Sequence, residues 1–177
     1  MEIYLIRHTK PAIGKGICYG QSDLALAPTF SKEVEIITSK LPRTLAPFAI
    51  FTSPLTRCSQ LAKALFPRHD VKADSRLMEL HFGTWEMKSW NDIPKEEINP
   101  WMEDFVRVPC PGGESYRQLY DRCVAFITEL QQQKTDKAII ITHGGPIRAI
   151  HALFKDIPLK DSFSLKVGYG EVLKLEN

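Results

Sequence analysis

The chain has 177 residues and a mass of 20.1 kDa, close to the commonest size of a single domain. Hydrophobic residues make up 44% and charged residues 25%, which is ordinary for a folded domain and excludes a disordered chain. The 23 Lys and Arg and 21 Asp and Glu residues leave a net charge of +2, too small for the broad basic surface that nucleic-acid binding usually needs. We therefore expect one domain over residues 1–177 and no nucleic-acid partner.

Nothing in the sequence predicts a membrane-bound or secreted protein. No apolar run approaches the roughly 20 residues that span a bilayer. Residues 1–7 lack the basic start and small-residue cleavage site of a signal peptide. The 4 cysteines form no CxxC pair, which argues against a zinc site and, in a chain of this size, against a disulfide scaffold. We expect a cytoplasmic protein with reduced thiols, no bound metal and no membrane partner.

The first half of the chain predicts two buried strands and a helix. Residues 3–6 and 48–52 are short, nearly continuous apolar runs, as in strands that are covered on both faces. Ser53 and Pro54 follow the second run and suit the N-cap and first position of a helix. We predict that this helix continues to about Phe66, because its apolar residues recur every three or four positions.

The second half predicts a long helix, a third buried strand and a shorter helix. Residues 115–133 carry one continuous apolar stripe, and Ser115 with Gln118 matches a capping box. Residues 138–141 form the strand, a helix follows over about 147–154, and residues 162–175 predict one or two strands broken by glycines. Alternating strands and helices predict an α/β, three-layer αβα sandwich with a mostly parallel central sheet.

Charged and polar residues stand where the predicted strands end. Arg7 and His8 directly follow the first strand, and His143 follows the third. Arg57 lies in the first turn of the helix after the second strand. In open α/β sheets ligands bind beyond the carboxyl ends of the strands, where helix N-termini attract anions. The sequence therefore predicts a phosphate site at this edge.

Five segments, taken in order, resemble the motifs of one known family. They are Arg7-His8-Thr9, residues 53–58 (SPLTRC), residues 77–86 (LMELHFGTWE), residues 113–115 (GES) and residues 142–145 (THGG). These segments resemble the RHG/RHT, SPLxR, LxExxFGxWE, GES and second-histidine motifs of the histidine phosphatase (phosphoglycerate mutase-like) superfamily. The resemblance spans residues 3 to about 150. It implies a phosphoglycerate mutase-like fold and a metal-independent phosphatase that needs no cofactor.

A further segment points to one branch of that superfamily. Residues 16–26, GICYGQSDLAL, resemble the CYGxxDxxL segment of the α-ribazole phosphatases, which also carry the RHT variant. Those enzymes remove the 5′-phosphate from α-ribazole phosphate, or from the adenosylcobalamin phosphate that carries it, in cobalamin biosynthesis. The resemblance therefore implies a small-molecule phosphate ester as the substrate.

The resemblance also assigns roles to individual residues. It makes His8 the nucleophile that forms a phosphohistidine, while Arg7, Arg57 and His143 hold the phosphoryl oxygens and stabilise the transition state. Glu79 is the proton donor to the leaving alkoxide and later the base that activates water. The chemistry of histidine is consistent with this role for His8, because an imidazole is nucleophilic only when it is neutral, and two nearby arginines disfavour its protonation.

Three departures from the family pattern affect the predicted site. Gly14 stands where the RHGxTxxN variant has Asn, so Gln21 or Ser22 is the candidate for the missing phosphate contact. Met87 occupies the position of a usual glycine, and residues 84–112 form a short predicted lid rich in tryptophan and acidic residues. Gly144 is expected to let the backbone approach the anion closely, although a plain turn explains it almost as well.

Several other side chains near the motifs have open roles. We predict that Glu86 and Glu114 bond loops or helix starts and take no part in the reaction. His81, Trp85 and Trp90 either line the substrate pocket or, in the case of the tryptophans, pack in the core.

Three alternative functions remain open from the sequence. A broad-specificity histidine phosphatase would act on sugar phosphates or phosphoproteins. A phosphoglycerate mutase is less favoured, because mutases resemble this core with longer insertions. A catalytically inert phosphate-binding module should lack the nucleophile or the acid, whereas this chain retains His8 and Glu79. A monomer and a homodimer are equally compatible with the sequence.

Overall fold

The computed structural model describes residues 1–42, 44–45 and 47–176. Along these residues the elements are β1 (Glu2–Arg7), α1 (Phe30–Lys40), β2 (Ala49–Thr52), α2 (Thr56–Leu65), β3 (Val71–Ala73), α3 (Lys95–Glu103), α4 (Tyr116–Gln132), β4 (Lys137–Thr142), α5 (Gly144–Lys155) and β5 (Val172–Glu176). Short 3-10 helices lie between them at Ser75–Leu77, Gly83–Trp85, Trp90–Asp92 and Leu159–Ser164.

The strands form one sheet with the order β3-β2-β4-β1-β5. The pairs β1–β4, β4–β2 and β2–β3 are parallel, and β5 runs antiparallel along β1. Arg7 pairs with Thr142, and Thr52 pairs with Ile141, so β1, β2 and β4 end at the same edge of the sheet. The prediction of a mostly parallel sheet is confirmed.

Helices cover both faces of this sheet. On one face, Ile37 of α1 and Leu61 of α2 pack in a core with Ile139 of β4. On the other face, Phe126 of α4 and the buried side chains of α5 share a core with Ile140. Ile139 and Ile140 point to opposite faces because side chains alternate along a strand. The predicted three-layer αβα arrangement is confirmed.

The start of α2 differs from the prediction. The helix begins at Thr56 with Leu55 at the N-cap, so Ser53 is not its cap. The Ser53 hydroxyl instead lies 2.8 Å from Nε2 of His143. The His143 ring is buried, and a buried ring nitrogen without a hydrogen-bond partner would destabilise the fold. Asp23 of a distant loop instead accepts a hydrogen bond from the Thr56 backbone N–H at 2.8 Å.

The helices on either side of β4 follow the prediction more closely. At α4, the Ser115 side chain accepts from the Gln118 backbone N–H, and the Gln118 side chain accepts from the Ser115 N–H, so the capping box is confirmed. The next helix, α5, begins at Gly144 instead of residue 147, because His143 takes the N-cap position.

The C-terminal prediction is only partly right, and three elements were not predicted. The stretch 162–175 contains the end of the 3-10 helix Leu159–Ser164 and one strand, β5. The unpredicted elements are α1, β3 and α3. Ile37 is the only buried residue of α1 and α3 has none, so neither helix carries a strong apolar stripe.

Candidate active site

His8 lies just beyond β1 and is 1% exposed. Its Nδ1 is 2.7 Å from the carbonyl oxygen of Thr9, which can only accept a hydrogen bond. Nδ1 therefore carries the ring proton, and Nε2 keeps a free lone pair. Burial of the ring, followed by the positive charges of Arg57 and Arg7, holds the pKa of His8 well below its ordinary value. The structure thus presents a neutral imidazole with a nucleophilic Nε2.

His143 is fully buried, and its ring centroid is 5.0 Å from that of His8. Nε of Arg57 lies 3.2 Å from Nδ1 of His143. A guanidinium can only donate, so Nδ1 accepts and Nε2 carries the proton that reaches Ser53 Oγ at 2.8 Å. Burial first, then the neighbouring His8 and Arg57, lower the pKa of His143 strongly. An Nε2 contact to a phosphoryl oxygen would require His143 to exchange Ser53 for the substrate.

Arg57 is fully buried, and its charge acts on the ring of His8. Besides the bond to His143, its Nη1 donates to the carbonyl of Ser22 at 2.9 Å and its Nη2 donates to the carbonyl of Gly20. These bonds use three of the five guanidinium N–H groups, which leaves two for an anion.

Arg7 is the second arginine whose charge acts on His8. Its Nη1 donates to the carbonyl of Val167 at 2.6 Å, and its Cζ lies 4.2 Å from the ring centroid of Tyr169. Arg7 Nε is buried and has no hydrogen-bond partner in the structure. Among the described residues, neither Arg7 nor Arg57 forms an ion pair with a carboxylate. Their positive charges are therefore available to a bound anion.

Glu79 faces the same cavity from the segment after β3. Its Oε1 accepts from the backbone N–H groups of Leu80 at 2.9 Å and Gly145 at 3.1 Å. A Cβ atom at position 145 would lie 2.2 Å from that oxygen, so a side chain there would displace the Glu79 carboxylate from its present position. Gly144 is adjacent to Arg7, whose Cζ would be 3.6 Å from a Cβ at 144. Gly144 therefore lies beside the candidate anion site, whereas the backbone N–H of Gly145 binds the Glu79 carboxylate.

The predicted roles of Gln21 and Ser22 as phosphate contacts are not supported. Nε2 of Gln21 donates to the backbone carbonyl of Glu79 at 3.1 Å, and Oγ of Ser22 donates to Glu86 at 2.6 Å. Neither residue lines the cavity at His8. The Ser22 backbone carbonyl acts indirectly instead, because it holds Arg57. Local sequence could not show this, since each bond joins residues far apart in the chain.

Glu86 organises the loop that holds Arg57. Its carboxylate accepts from the backbone N–H groups of Gly20 and Gln21 at 2.9 Å, and also from those of Ser22 and Phe82. Burial alone would raise the pKa of Glu86, but these hydrogen bonds outweigh burial and lower it. The structure confirms the prediction that Glu86 bonds a loop.

A second carboxylate supports the segment that carries Glu79. Glu114 forms a two-point ion pair with Arg122, at 2.6 and 3.1 Å. Arg122 also donates to the backbone carbonyls of Met78 at 2.6 Å and Glu79 at 2.9 Å. The sequence analysis missed Arg122, although its position off the apolar stripe of α4 was visible.

The cavity at His8 has a volume of about 320 Å³. Its polar end contains Arg7, His8, Glu79 and Arg148. Aromatic side chains form most of the remaining wall: Tyr19, Phe82, Trp90, Trp101, Phe105, Tyr116 and Phe163. The ring centroids of Trp90 and Trp101 are 6.1 Å apart, and their planes are inclined by 27°. The indole N–H of Trp101 is buried and has no hydrogen-bond partner among the described residues.

The structure settles the open roles of the other aromatic residues and adds one arginine. Trp85 is fully buried in the core and donates to Glu97, whereas Trp90 lines the cavity and His81 does not.

Arg148 also lines the cavity and was not predicted from the sequence. It lies one helical turn after Gly144, a spacing that places both residues on the same side of α5.

Within residues 1–42, 44–45 and 47–176, no helix is long and apolar enough to cross a membrane. No group of three or more His, Cys, Asp or Glu side chains is arranged to hold a metal ion in that part of the chain.

Comparison with known proteins agrees with this geometry. Residues 3–177 match the family described as "Histidine phosphatase superfamily (branch 1)". The "Metal-independent phosphoserine phosphatase" of Arabidopsis thaliana is 28% identical over 161 residues, which cover 85% of this chain and 67% of that protein. The "Adenosylcobalamin/alpha-ribazole phosphatase" of Salmonella typhimurium is 26% identical over 180 residues, which cover 96% of this chain and 87% of that protein.

Solved structures show the same fold. The crystal structure of the alpha-ribazole phosphatase from Shigella flexneri matches with a TM-score of 0.89 and 22% identity, over 99% of this chain and 90% of that one. The family match covers nearly the whole chain and includes every element that carries the candidate site. The two relatives described above are named phosphatases, and the chain itself belongs to the histidine phosphatase superfamily, branch 1.

Proposed function

We propose that this protein is a metal-independent phosphomonoesterase that forms a phosphohistidine on Nε2 of His8, with α-ribazole 5′-phosphate or adenosylcobalamin 5′-phosphate as its substrate. The observation that carries the proposal is a neutral His8 whose Nδ1 proton is held by the Thr9 carbonyl. His8 lines a cavity together with Arg7, and the charge of the buried Arg57 also acts on its ring. Among the described residues, neither arginine has a carboxylate partner.

The reaction follows from the positions of these groups. Nε2 of His8 attacks phosphorus, and the N–P bond forms as the ester P–O bond breaks. The leaving oxygen takes a proton from Glu79. Water then attacks phosphorus and gives its proton to Glu79, the N–P bond breaks, and phosphate leaves.

Arg7 and Arg57 supply the electrostatic stabilisation. Each arginine at about 4 Å from a unit negative charge contributes roughly 4 kcal/mol at an effective dielectric constant near 20. Because neither arginine is paired with a carboxylate, this attraction is available to the phosphoryl group throughout the reaction. Two such charges suffice to hold a phosphate dianion without a metal ion.

The cavity wall supports a leaving group with a planar, apolar part. Sugar hydroxyls that are removed from water need hydrogen-bond partners, and the wall beyond the polar end is mostly aromatic carbon. An aromatic base of α-ribazole type would pack against Trp90 and Trp101, and the free indole N–H of Trp101 offers one donor to it. The name of the Salmonella typhimurium relative supports the same substrate class.

A second candidate function rests on Arg148. Its Nε donates to the Leu165 carbonyl at 3.0 Å, while its Nη atoms have no acceptor among the described residues. A carboxylate near the ester, as in phosphoserine, would suit these free donors. The Arabidopsis thaliana relative carries the name of a phosphoserine phosphatase.

Rapid-quench labelling tests the reaction type. With radiolabelled α-ribazole 5′-phosphate, we expect an acid-labile, alkali-stable label on His8, and a rate unchanged by a chelator. Glu79→Gln should slow this substrate by about 100-fold or more, but p-nitrophenyl phosphate far less, because its leaving group scarcely needs a proton. Equal losses on both substrates would contradict the acid role of Glu79.

The kinetics of Trp90→Ala test the substrate. The variant should lose about 10-fold or more in kcat/KM with α-ribazole 5′-phosphate, and little with ribose 5-phosphate, which has no aromatic base. A wild-type enzyme that prefers phosphoserine, and an Arg148→Gln variant that loses this preference, would favour the second function instead.

A further inference from the structure

Each phosphate-binding arginine is held in the same way by a different loop. Arg57 donates to the carbonyl of Gly20 and lies 5.6 Å from the ring centroid of the adjacent residue, Tyr19. Arg7 donates to the carbonyl of Val167 and lies 4.2 Å from the ring centroid of Tyr169. One loop thus supplies a carbonyl and a tyrosine ring to each arginine.

The two tyrosines also contact each other. Their hydroxyl oxygens are 2.6 Å apart, although the residues are separated by 150 positions in the sequence. The ring centroid of Tyr169 lies 5.6 Å from that of His8, so the pair is next to the nucleophile. Burial, followed by the bond to Tyr169, raises the pKa of Tyr19, which keeps its hydroxyl protonated and able to take part in this hydrogen bond.

Rings and carbonyls suit this task better than carboxylates. A carboxylate would fix an arginine but would also neutralise the charge that the phosphoryl group needs. An aromatic ring attracts a guanidinium through its quadrupole and leaves the full positive charge in place. The absence of carboxylate partners at Arg7 and Arg57 within the described chain fits this arrangement.

We propose that Tyr19 and Tyr169 are positioning residues that hold Arg57 and Arg7 in place for the phosphoryl group, and that their mutual hydrogen bond fixes the two loops relative to each other. The proposal rests on the proposed phosphoryl site at His8. It adds that the affinity of this site for phosphate depends on two tyrosine rings and one bond between their hydroxyl groups.

Binding of inorganic phosphate to the full-length protein, measured by calorimetry, tests the role of the ring. Tyr169→Leu removes the aromatic ring and keeps an apolar side chain, and we expect the phosphate Kd to rise at least about 5-fold. Tyr169→Phe keeps the ring but loses the bond between the hydroxyl groups, so its phosphate Kd should rise by only about 2- to 3-fold. Because Tyr169 is 42% exposed, urea unfolding of both variants should be close to that of the wild type.

A double-mutant cycle tests the bond between the hydroxyl groups. Tyr19→Phe and Tyr169→Phe each break the same bond, so the double variant should bind phosphate no more weakly than the worse single variant. Tyr120→Ala is the matched control, because Tyr120 contacts Arg117 at 5.3 Å on α4 and does not line the cavity. Its phosphate Kd should not change.

The outcomes separate this inference from the proposed function. Equal phosphate affinity in Tyr169→Leu and Tyr169→Phe, or additive effects in the double variant, would overturn the positioning role while the wild type still binds phosphate and turns over substrate. A wild-type protein that neither binds phosphate nor hydrolyses p-nitrophenyl phosphate would overturn the phosphoryl site itself, and this inference with it.

Discussion

The strand-end edge and the 84–112 segment contribute to the same cavity by different means. At the edge, His8 and His143 follow directly from paired strands, and each ring nitrogen other than Nε2 of His8 has a hydrogen-bond partner. The 84–112 segment contributes aromatic side chains, among them Trp90 and Trp101, on short helices that pack against one another. Backbone register therefore places His8 and His143, whereas side-chain packing shapes the aromatic wall of the cavity.

Glu86 is the link between these two regions. It lies in the 84–112 segment, but its carboxylate bonds the backbone of residues 20–22, which in turn holds Arg57. Substitutions in the 84–112 segment at positions other than Glu86 should alter substrate preference. A substitution of Glu86 itself should also lower kcat/KM, because it loosens the loop that holds Arg57.

The largest expected effect comes from replacing His8, the proposed nucleophile. His8→Asn keeps a group that can bond the Thr9 carbonyl but cannot accept a phosphoryl group, so kcat with p-nitrophenyl phosphate should fall by about 1000-fold or more. His69→Asn is the control, since His69 contacts Phe66 away from the cavity. Substantial turnover by His8→Asn would show that another residue is the nucleophile.

The next effect tests the link between the regions. Glu86→Gln replaces one carboxylate oxygen by an NH₂ group. This group can only donate, so it cannot accept hydrogen bonds from the backbone N–H groups that surround it. We expect a loss of about 2–4 kcal/mol in the free energy of unfolding, and a lower kcat/KM because the loop no longer holds Arg57. Urea unfolding and steady-state kinetics measure both, with the exposed Glu103→Gln as the control. A variant as stable as the wild type would contradict this role.

A third prediction concerns pH. The pKa of His8 and that of His143 are lowered in the folded protein, so below about pH 6.5 the unfolded chain binds protons that the folded chain does not. Stability should therefore fall as the pH drops from 6.5, by up to about 1.4 kcal/mol per pH unit for each histidine. Urea unfolding between pH 6.5 and 5 should show a shallower slope in His8→Asn. An identical slope would mean that His8 titrates normally in the fold.

The smallest effect tests the backbone of the 84–112 segment. Met87 has φ of 66°, in the left-handed region that favours glycine, and its side chain is 52% exposed. Met87→Gly should therefore raise the free energy of unfolding by about 0.5–1 kcal/mol. Gly16→Ala is the converse control and should lower the free energy of unfolding. Gly16 has φ of 80° and nothing within 4 Å of an added Cβ, so this loss would reflect backbone strain alone. Thermal unfolding measures both, and a less stable Met87→Gly would refute the strain argument.

Much of the fold could be predicted because the relevant signals are local. The buried strands read as short apolar runs, and the capping box of α4 joins residues three positions apart. The elements α1, α3 and β3 were not predicted, because their local sequences carry only weak apolar patterns. Their stability depends on packing against the rest of the molecule, which no local pattern records.

The candidate site was only partly accessible from the sequence. His8, Arg7 and His143 were found because they follow strands, and Arg57 because it follows a helix start. Arg148 was missed because a charged residue inside an apolar helix has no local signal of function.

The order of amino acids by itself determined where the strands end and which charged side chains follow them, because strand formation depends on neighbouring residues. Only the tertiary structure decided how those side chains are used. In the folded chain, Ser53 bonds His143 instead of capping a helix. Gln21 bonds the Glu79 backbone and Ser22 bonds Glu86, so neither lines the cavity. Tyr19 contacts Tyr169. Each of these contacts joins residues more than 50 positions apart, and the packing of the whole sheet, not any local pattern, sets such distances.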